Sequence, residues 1–133
     1  MEKGGISFKQ LIKRKMGLFR FEDLNIWMDS IELTDKLFDI ADRAENKKLF
    51  RFAEQLRGAG MSISNNIAEG SGSFSDKEFS QFLNIARRST FECANIIVIL
   101  NRRKLIDSSE KNRIFGELAQ LSGKITNFRK SLK

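Results

Sequence analysis

The sequence predicts an all-α fold, an antiparallel up-down four-helix bundle with a short basic N-terminal extension, and three observations carry that prediction. Apolar residues recur at intervals of three and four through four long stretches, the breaks between them are short and polar, and the chain has neither a proline nor an alternating β-branched run. Its 133 residues suit one core.

Residues 1–20 stand apart as the extension, and residues 21–133 form the bundle domain. In the extension Gly4-Gly5 precedes Phe8, Leu11 and Ile12, set among Lys9, Lys13, Arg14 and Lys15. That pattern permits a short basic amphipathic helix on a membrane surface or on nucleic acid, but a loose tail or an arm packed on a neighbouring subunit is the favoured reading, since termini are commonly loose. The first helix is expected over about residues 23–43 on the stripe Trp27, Ile31, Thr34, Phe38 and Ala41, widened by Leu24 and Leu37. Its other face carries Asp29, Glu32, Asp35, Asp39 and Asp42.

The second helix, about residues 48–69, follows Leu49, Phe52, Leu56, Ala59, Ile63 and Ile67 and ends at Gly70. Gly58 and Gly60 each cost it roughly 1 kcal/mol of helix propensity, which points to close approach of a neighbouring helix. The loop Gly70-Ser71-Gly72-Ser73-Phe74 follows, and Ser75 with Glu78 has the capping pattern of a helix start. The third helix, about residues 76–104, runs through Phe79, Phe82, Ala86, Thr90, Cys93, Ile97 and Leu100, broadened by Leu83 and Ile96. Arg102-Arg103-Lys104 lies at its C-terminus, where the macrodipole favours cations. Asp107 with Glu110 repeats the cap pattern for a fourth helix, about residues 108–130, through Ile114, Phe115, Leu118, Leu121, Ile125 and Phe128.

Composition narrows the chemistry. There is no His, so a His-based general base, a Ser-His or Cys-His pair, an imidazole metal ligand and the Glu-x-x-His of di-iron bundles are all excluded. The single Cys93 makes no intramolecular disulfide and reads as a small core residue, which with the lack of a disulfide framework suggests a cytoplasmic protein. No apolar run approaches the roughly 18–20 residues of a membrane span. The acids of the first helix are spread over an exposed face and do not converge as a Mg²⁺ site would require, so neither an enzyme nor a metal or other cofactor is expected.

Charge is polarised along the chain. The total of +7 resolves into +5 over residues 1–20, −5 over 21–43, +1 over 44–70 and +3 in each of 71–106 and 107–133. Arg87, Arg88, Arg102, Arg103, Lys104, Lys111, Arg113, Lys124, Arg129 and Lys130 on the last two helices are therefore the candidates for neutralising phosphates of RNA or DNA. The plainer reading is that they solubilise the bundle, and an acidic first helix facing a neighbour's basic helices would itself drive assembly.

One stretch carries a more specific signal. Ser62-Ile63-Ser64-Asn65-Asn66-Ile67-Ala68-Glu69-Gly70, with Phe21-Glu22-Asp23-Leu24-Asn25-Ile26-Trp27 upstream and Lys77-Glu78-Phe79-Ser80-Gln81-Phe82-Leu83-Asn84-Ile85-Ala86 downstream, resembles the four helix bundle protein family. That family is also called the S23 or 23S rRNA intervening-sequence protein family, and the resemblance covers about residues 21–130. The family pattern has Pro after the Ser-Ile where this chain has Ser64, so no proline kink is expected there. The resemblance implies a bacterial four-helix bundle that assembles as a homopentamer. Related bundles are basic accessory subunits of diversity-generating retroelements, and several family genes lie inside insertions of ribosomal RNA genes, a location that establishes no activity.

Asn66, Glu69 and Gly70 read as a helix–loop junction, the side chains bonding backbone groups and Gly70 supplying a positive-φ cap. Arg57 and Glu92 fall near the apolar faces of the second and third helices, where an ion pair would set helix register. Taken together, the sequence points to a non-enzymatic homo-oligomer, pentameric by resemblance, that binds RNA or DNA, with a protein-binding scaffold or assembly subunit as the alternative.

Overall fold

A computed structural model describes residues 17–132, so the basic segment 1–16 lies outside the described residues. A single 3-10 turn, Arg20–Asp23, leads into α1 (Asn25–Asn46), α2 (Phe50–Ser71), α3 (Asp76–Arg102) and α4 (Ser108–Ser131). Consecutive helices pack side by side, α4 returns to α1, and the backbones of the diagonal pairs stay apart. This is the antiparallel up-down four-helix bundle. Of its four seams, α1 against α4 is the most thinly packed.

The caps read from sequence are formed. Ser75 Oγ accepts the Glu78 N–H at 3.1 Å and Asp107 Oδ1 accepts the Glu110 N–H at 2.8 Å, satisfying orphan amides at the starts of α3 and α4. The core is drawn from all four helices, including Leu37, Leu56, Ile63, Leu83, Ile97 and Ile125, each fully buried. Burial of each such side chain contributes about 1.5–3 kcal/mol relative to leaving it in water. At the N-terminal approach Phe19 stacks on Phe21 with ring centroids 5.7 Å apart, Phe21 meets Trp27 at 4.9 Å with the rings tilted by 55°, and Arg20 lies 5.0 Å over Phe79. No helix among the described residues is long and apolar enough to cross a membrane.

The inward face of α1 differs from the expected stripe. Thr34, Leu37 and Ala41 of that stripe are buried as expected, together with Ile26, Ser30, Leu33, Ile40 and Ala44, while Trp27, Ile31 and Phe38 are only half-buried. The centre of the buried arc is shifted by about one residue from the expected stripe, onto Leu33, Leu37 and Ile40, which follow one another on successive turns as an aliphatic ridge.

The glycines of α2 also differ from expectation. Gly60 does lie against α1, where an added Cβ would stand 3.3 Å from Leu37 Cδ1, and the Thr34 hydroxyl donates to its carbonyl at 3.3 Å. Gly58 faces open space. Gly70 is not a positive-φ cap. It lies inside α2, and its missing Cβ admits Phe79 and Phe82 of α3. The helix continues through Ser64, whose hydroxyl bonds the Met61 carbonyl at 3.3 Å.

Candidate nucleic-acid interface

The ten cations of α3 and α4 do not form one surface. Lys124 donates to Asp29 at 2.8 Å and Arg129 Nε donates to the Ser80 hydroxyl and carbonyl at 2.7 and 3.1 Å, so both hold helices together. Arg87 bonds Asn84 at 3.2 Å and lies 5.5 Å over the Phe91 ring, and Lys111 lies 5.1 Å over Phe115. Those two cover aromatic surface beside an apolar depression between α3 and α4, lined by Phe91, Ala94, Phe115, Leu118 and Ala119. Arg88, Arg113 and Lys130 are exposed singly. Arg102, Arg103 and Lys104 are exposed together where α3 turns into α4, and among the described residues they form no ion pair.

Topology enlarges this last group. In an up-down bundle the α1–α2 and α3–α4 connections lie at the same end, and Arg43 in the last turn of α1 pairs with Glu110 in the first turn of α4 to link them. The α1–α2 connection brings Lys47 and Lys48, with Arg51 in the first turn of α2, all exposed and likewise without an ion pair among the described residues. Sequence reasoning passed over these three because the charge of residues 44–70 is nearly balanced. Of the three acids that balance it, Glu45 is taken up by Arg57, while Glu54 and Glu69 stand exposed along α2.

The two connections are built alike. Leu49 N–H bonds the Ala44 carbonyl and Lys48 N–H the Glu45 carbonyl, both at 2.8 Å, and Leu105 and Lys104 repeat the pattern onto Leu100 and Asn101 at 2.9 and 3.0 Å. Each is a Schellman closure, and each sets a lysine in the left-handed region, Lys48 at φ 63° and Lys104 at φ 64°. Leu49 and Leu105 fold inward against the core, which leaves the lysines outward. The recurrence of Lys-Lys-Leu at 47–49 and Arg-Lys-Leu at 103–105 is the sequence signal that would have found it.

Two acids of the outer face of α1, Asp29 and Asp42, are paired within the chain. Asp29 pairs with Lys124, while Lys36 and Arg43 of α1 meet Glu117 and Glu110 of α4. Asp42 and Glu45 both accept from Arg57 at 2.7 Å. Arg57 therefore pairs across α1 and α2, not with Glu92, and its guanidinium is held above its ordinary value by hydrogen bonds first to Asp42 and then to Glu45. Glu92 stays exposed on α3. Glu32, Asp35 and Asp39 remain on the outer face.

The expected junction cluster also divides. Asn66 Nδ2 bonds the Ser62 carbonyl at 2.7 Å and its hydroxyl at 3.1 Å, and Ser89 Oγ of α3 donates to that same hydroxyl at 2.8 Å. Asn66 thus steadies the α2–α3 contact one turn above the loop. The Glu69 side chain is exposed, and only its carbonyl serves the junction, accepting from Gly72 N–H at 3.0 Å. Among the described residues no three His, Cys, Asp or Glu side chains converge as metal ligands would.

No functionally curated protein matches the sequence. The fold is that of a crystallised protein of unknown function from the S23 ribosomal protein family of Bacteroides thetaiotaomicron, similar at 21% identity with a TM-score of 0.75 over 80% of this chain and 99% of that one. The sequence model of the 23S rRNA-intervening sequence protein family matches residues 22–127, nearly the whole bundle, and the chain belongs to that family.

Proposed function

We propose that this protein is a non-enzymatic, cytoplasmic, homo-oligomeric bundle, pentameric as its family resemblance implies, that binds RNA or DNA through a basic surface. One observation carries the reading: Arg102, Arg103 and Lys104 stand exposed at one end of the bundle with no carboxylate partner among the described residues, whereas Lys124 and Arg43 of the same bundle are engaged in pairs. Free cations of this kind neutralise phosphates and release counterions, giving affinity that falls steeply with salt and reads few bases. Repetition around an oligomer would multiply a modest charge per subunit.

The test is binding of labelled RNA and DNA across a salt series, with Arg102, Arg103 and Lys104 changed together to Ala. Affinity at low salt that disappears in the variant supports the reading, and the absence of binding at low salt defeats it. The apolar depression at Phe91 and Phe115 favours a second reading, an assembly or scaffold subunit. Light scattering tests the self-association common to both. A monomer at micromolar concentration would remove it.

A further inference from the structure

We infer that the end of the bundle formed by the α1–α2 and α3–α4 connections binds single-stranded nucleic acid, with Phe50 as a stacking platform for a base and Lys47, Lys48, Arg51, Arg103 and Lys104 along the phosphates. The inference rests on the nucleic-acid reading above and adds a second loop, an aromatic residue and a strand preference to it.

Folding stability does not account for these side chains. A lysine in the left-handed region is disfavoured relative to glycine, and both connections nonetheless place one there. Arg51 sits in the first turn of α2, the positive end of the helix dipole, where no acid is present and no side chain caps the free amides. Phe50, the first residue of the same helix, is 58% exposed, so a face of its ring is open to a base. It lies in the run Lys47-Lys48-Leu49-Phe50-Arg51, in which only Leu49 turns to the core.

Cations interleaved with an exposed aromatic ring suit a single strand better than a duplex. Phosphates are available on both, but the faces of duplex bases are already stacked on their neighbours, and a ring beside the backbone gains nothing from them. A single strand offers free base faces, and every base has one, so the stacking tolerates any sequence. The second connection lies at the same end of the bundle, linked to the first through the Arg43–Glu110 pair, and adds its cations to the track for the strand.

The experiment uses the full chain and three fluorescein-labelled probes: a thymidine oligonucleotide, an abasic strand of the same length and a duplex. Phe50→Ala should weaken binding of the thymidine strand roughly five- to a hundred-fold with its salt slope unchanged, and leave the abasic strand and the duplex alone. Lys47→Ala, Lys48→Ala and Arg51→Ala combined should reduce the slope of log K against log salt by about 2, at about 0.7 for each phosphate of a single strand that is no longer neutralised. Lys48→Gly with Lys104→Gly should raise the melting temperature while weakening binding, a combination that a purely structural role would not produce. Phe50→Ala affinity equal to that of the unaltered chain overturns the inference, and so does a variant whose oligomeric mass falls together with its binding, since the ring then belongs to a subunit interface. If only the Arg102, Arg103 and Lys104 variant loses binding, this inference falls and the broader reading stands. If the unaltered protein binds no nucleic acid at low salt, both fall.

Discussion

Cys93 shows how far one side chain's chemistry is set by its position in a stripe. It is fully buried in α3, and burial, followed by the nearby charge of Glu92, pushes its thiol up from 9.0 to about 12. The native state thus keeps the proton over a pH range in which the unfolded chain loses it. Because the folded state binds more protons there, stability is unaffected well below pH 9.0 and falls as pH rises from that value toward about 12. Thermal melting across this alkaline range should show a steeper decline for the unaltered chain than for Cys93→Ala, and equal slopes would assign the decline to other groups. Thiol reagents should label the native protein only as fast as the bundle opens. Burial of Cys93 was readable from its spacing. The partners of Arg57 were not, because periodicity locates a residue on the border of an apolar face but does not say which neighbouring helix that border meets.

Helix geometry explains why some stripes are legible in the sequence and others are not. Those of α2, α3 and α4 are legible because an unbroken three-and-four spacing of buried residues, such as Leu56, Ile63 and Ile67, outweighs isolated exposed ones such as Met61 and Phe91. In α1, Ile31 and Phe38 extend the apolar arc past the buried ridge, so the sequence alone permits more than one rotation. Gly58 and Gly60 were both expected to face a neighbour, yet two residues advance a helix by about 200°, so they cannot face the same one. The glycines therefore divide into two kinds with opposite predictions. At Gly70 an added Cβ would come within 2.7 Å of Phe82 Cβ and 2.8 Å of Phe79 Cδ1, and Gly70→Ala should cost about 1–3 kcal/mol. Gly58, Gly116 and Gly123 face open space inside helices, and each change to Ala should add about 0.5–1 kcal/mol. Urea midpoints measure both, and a neutral Gly70→Ala would show that the α2–α3 junction yields more easily than its close packing suggests.

At the scale of the whole molecule, the total charge of +7 conceals two separate uses of charge. One set of ions crosses the thinly packed seam between α1 and α4, where Lys36–Glu117, Arg43–Glu110 and Lys124–Asp29 are spaced along its length. The other set, on the two connections, has no ion-pair partner among the described residues. Exposed pairs contribute only about 0.2–1 kcal/mol each, but a thinly packed seam depends on them more than the others do. Changing Lys36, Arg43 and Lys124 together to Glu places like charges across all three positions. Hydrogen exchange should then accelerate in α1 and α4 while the centres of α2 and α3 stay protected. Adding Glu117→Lys, Glu110→Lys and Asp29→Lys reverses every pair, restores the net charge and should return exchange to its original rates. That six-fold variant leaves Lys47, Lys48, Arg51, Arg102, Arg103 and Lys104 untouched, so any affinity for nucleic acid should survive in it. If exchange stays fast after the second set of changes, the seam is held by shape and not by charge. If exchange recovers and binding does not, the seam ions belong to the binding surface as well.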